Sequence, residues 1–247
     1  MMVAVLELAR LWFLPRWTPR HRVLRLTAPW LPETMKSTTL VIMVMAFLIQ
    51  PFIARAYVIP TASMENTLPV GTRILASPLA PRVVSIHAND VLVFHPPHLA
   101  LEMSGGQDDE VWIKRCIGTP GQRIEIKKNV LWRDGKIVAE PHVIWKNPGF
   151  APLVYDLKIV DEAVYSRSYS ALGRAGFWKQ AEVVAPDQNA ISRAPSGVVP
   201  SEQFLMLGDH RNDSLDGHVW GFLARRQIVG RAFVSFWPPR QIGTINR

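Results

Sequence analysis

The hydrophobic pattern divides this chain into three textures. Residues 1–14 are apolar apart from Glu7 and Arg10 and stop at Pro15, a run too short to span a bilayer and suited to an interfacial helix. Residues 37–56 carry no charge before Arg55, and positions 40–49 are unbroken apolar residues. That predicts a transmembrane helix over 37–56, near the roughly 20 residues a span needs. A cleaved signal peptide is the rival reading, since the unbroken core is brief, Gln50-Pro51 follows it and Ala54-Arg55-Ala56 has the small residues of a cleavage site. The long basic leader weighs against it.

From Arg73 onward short apolar runs alternate with Gly and Pro: Arg73-Ile-Leu-Ala, Asp90-Val-Leu-Val-Phe94, Val111-Trp-Ile-Lys-Arg-Cys-Ile117 and Arg123-Ile-Glu-Ile126. Such runs favour strands over helices. Thr119-Pro120-Gly121-Gln122 suits a type II turn, and Asp134-Gly135 between Val130-Leu-Trp and Lys136-Ile-Val suits a tight hairpin. Both turns predict antiparallel pairing. Residues 141–199 mix aromatics, charges and turn residues less regularly, and β character returns at Phe204-Leu-Met-Leu207 and near 229–236. The expected fold is mainly β. An antiparallel core over 57–140 and 200–247 carries an inserted smaller β-rich lobe at 141–199, behind the basic tail 1–36 and the helix 37–56.

Charge sharpens the topology. The formal net charge is +8, and Arg10, Arg16, Arg20, Arg22, Arg25 and Lys36 face only Glu7 and Glu33 in the tail, which supplies about half of the excess. Because the charge flanks an apolar segment, anionic lipid is a simpler partner than nucleic acid, which this layout argues against. Positive flanks stay cytoplasmic, so the tail is expected inside and the body outside, on the periplasmic or outer face of a bacterial inner membrane.

Candidate chemistry centres on Ser63, in Tyr57-Val-Ile-Pro-Thr-Ala-Ser-Met-Glu-Asn-Thr-Leu-Pro-Val-Gly71. A serine hydroxyl needs a base to become a nucleophile. Lys114, on an apolar strand, would be desolvated, which disfavours its charged form and makes it a candidate base. Taken singly, neither residue means much, since buried serines and snorkelling lysines are common. Together with Leu207-Gly208-Asp209-His210-Arg211-Asn212-Asp213-Ser214-Leu215-Asp216, the ordered set resembles the type I signal peptidases, membrane-bound Ser/Lys proteases that remove signal peptides from exported proteins. The resemblance covers about residues 57–135 and 204–237.

The resemblance implies Ser63 as nucleophile, Lys114 as general base and no cofactor. It implies Thr61, two residues before the nucleophile, as an oxyanion donor beside the Ser63 N–H, and Ser214 as a hydrogen-bond partner that orients the lysine. Arg115, Asp209 and Asp216 are implied as structural support, with Arg115 and Asp209 pairing. Tyr57, Ile59, Pro60, Met64, Leu68, Ile74, Val93, Trp112 and Ile113 stand at positions matching the substrate subsites. The implied partners are signal-peptide-bearing preproteins and membrane lipid, with the translocation machinery a candidate and no nucleic acid. Three positions depart from the family pattern: Asn66 stands where Pro is usual, His210 where Asn is usual, and Asp216-Gly217-His218 where Asp-Ser-Arg is usual. The last puts the customary aspartate–arginine pairing in doubt.

Cys116 is the single cysteine, which excludes an internal disulfide and reads as a small buried hydrophobe. His95-Pro-Pro-His98 lacks a third ligand and reads as a loop rather than a metal site. A protease dedicated to one substrate of a conjugation or secretion system is the second enzyme reading. A catalytically inactive membrane-tethered scaffold is the reading from another class.

Overall fold

The computed structural model describes residues 33–46, 53–79, 81, 84–146, 154–170, 172–181, 183–185 and 187–245. The chain forms two compact units, Met1–Ala54 and Arg55–Arg247. In the first, α1 (Glu33–Val44) covers the front of the expected span. Positions 47–52 of that span, and the interfacial helix expected at 1–14, lie outside the described residues. No helix among the described residues is long and apolar enough to cross a membrane.

The second unit is built from antiparallel strands. In chain order these are β1 (Arg55–Val58), β2 (Arg73–Ser77), β3 (Val91–Phe94), β4 (Trp112–Gly118), β5 (Ile124–Lys127), β6 (Val130–Arg133), β7 (Lys136–Ile137), β8 (Tyr155–Val160), β9 (Ala163–Ser168), β10 (Lys179–Gln180), β11 (Val183–Val184), β12 (Gln203–Leu207), β13 (Phe222–Ala224), β14 (Ile228–Trp237) and β15 (Gly243–Thr244). They form two sheets among the described residues: β1-β2-β14-β3-β4-β12-β13, with β15 on β14, and β11-β10-β9-β8-β5-β6-β7.

Turn chemistry explains the tight connections. Asp134 and Gly135 both have positive φ, 52° and 76°, the conformation a two-residue hairpin between β6 and β7 demands. Gly121 has φ 82° and the Gln122 N–H donates to the Thr119 carbonyl at 3.0 Å, closing the turn read from Pro120-Gly121.

Sheet membership corrects one boundary. The chain enters the second sheet at β5, so residues 124–137 belong with β8 and β9 and not with the first sheet, where the boundary at 140 would have kept them. The reason is burial. Ile124, Ile126 and Leu131 join Leu157, Ile159 and Val164 in one core cluster that also takes Leu205 and Leu207 from β12. Residues 141–199 are also more regular than their composition suggested, with two six-residue strands, β8 and β9, paired along their whole length.

In the first sheet, β4 lies between β3 and β12, with Leu92 opposite Lys114 and Leu207 opposite Arg115. A central strand with every residue from Ile113 to Gly118 buried can hold a lysine side chain out of water. That placement sets up the site.

Candidate active site

Ser63 sits in a single 3₁₀ turn, Ala62–Met64, just past β1. The loop from β1 to β2 is closed by the Ile59 N–H on the Thr72 carbonyl at 2.9 Å and the Gly71 N–H on the Ile59 carbonyl at 2.8 Å. Met64 and Leu68, 0% and 1% exposed, pack into a core cluster with Ile59, Ile74 and Val93. They anchor the Ser63 loop. Neither lines the cleft, although Ile59, Ile74 and Val93 of the same cluster do, which corrects their assignment as subsite residues: the part of the cluster they form is turned away from the cleft.

Lys114 Nζ donates to Ser63 Oγ at 2.5 Å, with the lysine 5% and the serine 6% exposed. Burial lowers the Lys114 pKa from its ordinary value to about 8, against the opposing pull of Asp216, Asp209 and Asp213. A lysine so placed loses its proton within reach of neutral pH, and the same contact then runs the other way, with the serine hydroxyl donating to the free amine. The Trp112 ring lies 5.9 Å from Nζ and shields that side. Thr61 Oγ1 lies 3.4 Å from Ser63 Oγ.

The segment after β12 wraps the Ser63 backbone. The His210 N–H donates to the Ser63 carbonyl at 3.0 Å. A Cβ on Gly208 would stand 2.7 Å from the Ser63 carbonyl oxygen and 2.2 Å from Ser214 Oγ, so only glycine allows this approach. Asp216, fully buried, accepts from the Gly208 N–H at 2.7 Å and lies 2.7 Å from His218 Nδ1. Burial alone would raise the Asp216 pKa, yet His218, Lys114 and the Gly208 N–H together hold it below the ordinary carboxylate value.

Arg115 and Asp209, each 1% exposed, form a two-pronged pair with Nε–Oδ1 2.8 Å and a second guanidinium nitrogen on Oδ2 at 2.7 Å. Thr67 donates to the same carboxylate at 2.5 Å, and Arg115 reaches the Thr67 hydroxyl at 3.0 Å and the Asn89 carbonyl at 3.0 Å. This network ties the serine loop, β4 and the segment after β12 into one support. Asn66, one of the departures, donates to the His142 carbonyl at 2.9 Å. Its side chain joins the serine loop to the segment after β7, a link the usual proline could not make. His210, another departure, is 1% exposed, with Nδ1 3.5 Å from Glu65.

Around Ser63 and Lys114 opens a cleft of about 600 Å³. Tyr57, Ile59, Pro60, Ile74, Val93, Trp112 and Ile113 line it together with Thr61. Sequence reasoning missed Glu110 and Asp213 on the same wall. Glu110 directly precedes the lysine strand and Asp213 directly precedes Ser214, so adjacency was the available signal.

Ser214 corrects an expectation. Its Oγ is buried without a hydrogen-bond partner among the described residues, and it makes no bond to Lys114. The segment 211–215 borders two cavities. Asp213 and Leu215 line the catalytic cleft, whereas Asn212 and Ser214 line a second cavity of about 540 Å³ with His218 and Arg211. Ser214 Oγ thus packs beside Gly208 and the Ser63 backbone without reaching the lysine, and Ser63 is the hydrogen-bond partner of Lys114.

A hydroxyl held against a desolvated amine at the bottom of an apolar cleft is equipped for acyl transfer. A family model described as signal peptidase, peptidase S26, matches residues 32–237. The chain is 29% identical over 209 residues to the probable signal peptidase I-2 of Synechocystis sp., covering 85% of this chain and 75% of that protein. It is 29% identical over 203 residues to signal peptidase I of Leptolyngbya laminosa, covering 82% and 78%. Against signal peptidase IB of Staphylococcus aureus the identity is 28% over 195 residues, covering 79% and 84%.

Proposed function

The chain belongs to the signal peptidase family, peptidase S26, and from that membership we propose that it is a membrane-anchored serine endopeptidase that removes signal peptides from exported preproteins. The observation that carries this reading is the buried 2.5 Å contact between Lys114 and Ser63 opening onto a mostly apolar cleft. Neutral Lys114 takes the proton of Ser63 as its Oγ attacks the scissile carbonyl, and returns it to the leaving amine. The Ser63 N–H and the Thr61 hydroxyl stabilise the oxyanion, where losing one donor typically costs about 10²- to 10³-fold. Water then resolves the acyl-enzyme with Lys114 again acting as base. The chemistry asks for no metal or organic cofactor.

Shallow apolar walls suit the small side chains that precede a signal-peptide cut. The membrane anchor is argued from residues 37–56 and the basic tail, which place the tail in the cytoplasm and Ser63 on the periplasmic or outer face. Anionic lipid is the partner of the tail.

The test is cleavage of a panel of preproteins in detergent by the wild-type protein and by Lys114→Ala. Several unrelated preproteins should be cut at their signal-peptide junctions by the wild type alone. Cleavage by the variant would defeat the dyad, and cleavage of one dedicated substrate only would favour the narrower maturation protease. Protease protection in intact spheroplasts reads the topology, with shielding of residues beyond 57 counting against it.

A further inference from the structure

The cleft carries a charge pattern that the dyad does not use. In a chain of net charge +8, its wall holds two carboxylates, Glu110 and Asp213, and among the described residues its only Lys or Arg is Lys114. That lysine must be neutral to act, so the working cleft is negative. The neighbouring cations Arg55 and Arg73, on β1 and β2, stand outside the lining.

The two carboxylates occupy different places. Asp213 lines the cleft with Lys114 and acts on it electrostatically, its carboxylate 3.8 Å from His210 Nδ1. Glu110 lies four positions before Lys114 and two before β4 begins, at most roughly 13 Å away, and its Oε2 accepts from Trp112 Nε1 at 3.0 Å. The indole thereby fixes the Glu110 carboxylate on the cleft wall. Asp108 and Asp109, both exposed, precede it and add negative charge at that end.

We infer that this cleft selects for a lysine or arginine, and against an aspartate or glutamate, in the stretch of preprotein it holds, with Glu110 reading a side chain about four residues from the cut. An extended peptide running from Ser63 along the wall past Trp112 brings such a side chain to Glu110, because peptide and strand advance by the same rise per residue. A cation there meets a fixed carboxylate and a ring face, and a carboxylate there meets repulsion. Asp213 adds to the same preference from elsewhere on the cleft wall. The inference rests on the protease reading of the same cleft.

The experiment uses a neutral peptide with a small-residue cut site and derivatives carrying one Lys or one Glu at each of five positions on either side. Cleavage is measured as kcat/KM for wild type, Glu110→Gln and Asp213→Asn at low and high salt. At one position three to five residues from the cut, the Lys peptide should exceed the Glu peptide about three- to tenfold, the range for a partly exposed charge pair. That ratio should collapse towards one in Glu110→Gln, and it should shrink at high salt in the wild type. Peptide affinity for the Ser63→Ala protein, read by tryptophan fluorescence, should show the same ratio without any chemistry. Failure to cut the neutral peptide would therefore strike the protease reading alone. Equal affinities and rates for Lys and Glu peptides at every position, or a ratio that survives Glu110→Gln, would overturn the selectivity.

Discussion

Each sheet of this protein buries one lysine, and the two side chains do opposite things. Lys114 and Lys158 are both 5% exposed, and burial lowers the pKa of both. Lys158 on β8 directs Nζ at the carbonyls of Ile191, Ser192 and Ala194 at 2.5, 3.2 and 2.7 Å, and lies 5.2 Å from the Trp178 ring. Three acceptors match the three protons of an ammonium, and a carbonyl has no proton to give. That lysine is a cap. It satisfies the last carbonyls of the helix Gln188–Arg193, where a cation is favoured. Lys114 faces a single hydroxyl on a turn, so its neutral form gains a donor where Lys158 would lose acceptors. Desolvation alone does not make a base. The difference lies in whether the partner can release a proton.

The largest effect should come from removing that partner or its acceptor. Ser63→Ala and Lys114→Met should each lower kcat/KM by at least about 10⁴-fold, and Lys114→Arg should fail equally, because a guanidinium stays protonated. The wild-type rate should rise with pH through about 8, as Lys114 loses its proton. Stability moves in the opposite sense. A folded pKa below the unfolded value means that the buried ammonium costs on the order of 3 kcal/mol at neutral pH, so Lys114→Met should melt at a higher temperature than wild type. Between about 8 and the unfolded lysine value the unfolded chain binds more protons, so wild-type stability climbs with pH. The melting gap should therefore close. Thermal melts of both proteins from pH 6 to 11 provide the measurement, with a pH-independent gap as the contrary result.

Lys158→Met should show the reverse pattern. Stranding buried carbonyls at the end of a helix costs about 2–4 kcal/mol, while kcat/KM per folded molecule should stay within about twofold of wild type, because Lys158 lies in the other sheet. Chemical denaturation with active-site titration separates the two quantities. A lysine in the second sheet whose loss cut turnover in proportion to Lys114 would erase the distinction between cap and base.

Much of this contrast was legible before any coordinates. Short apolar runs with Gly and Pro between them gave β3, β4, β5 and the Asp134-Gly135 hairpin, because those signals are local to each strand. The identity of Ser63 and Lys114 came from ordered motifs, and the lowered lysine pKa from the apolar run around it. Sheet membership was not legible. Nothing in Ile124 to Ile137 says which sheet the run will join, since the choice is made by Leu157, Ile159 and Leu205 from distant segments. The missing bond between Ser214 and Lys114 depends on how the segment after β12 packs against the Ser63 backbone, and the burial of Met64 and Leu68 depends on the sheet residues packed against their loop. Lys158 itself lies in a stretch where sequence alone showed no role, because its three carbonyls come from residues more than thirty positions away.

The smallest effect concerns the carboxylate that acts most strongly on Lys114. Asp216 opposes the lowering of that lysine, and its own pKa is set by burial, which raises it, against His218, Lys114 and the Gly208 N–H, which together lower it further. A carboxylate with a folded pKa below the unfolded value near 3.9 contributes stability that is fully present above the unfolded pKa. That contribution is lost as pH falls through the folded pKa. His218→Ala removes the strongest of the lowering influences, so the Asp216 folded pKa should rise, the protein should lose about 1 kcal/mol, and acid unfolding should begin at higher pH. His218→Arg places a permanent cation beside the carboxylate and should unfold at the wild-type pH or below. Near pH 8 Asp216 is ionised in all three proteins, so the rise in rate through about 8 should stay within a few tenths of a unit. Acid titrations followed by circular dichroism, run beside pH–rate profiles, separate the outcomes. Coincident acid unfolding in all three would show that the backbone donors alone hold Asp216, and a displaced rate profile in His218→Ala would show that the histidine helps set the base as well as the loop.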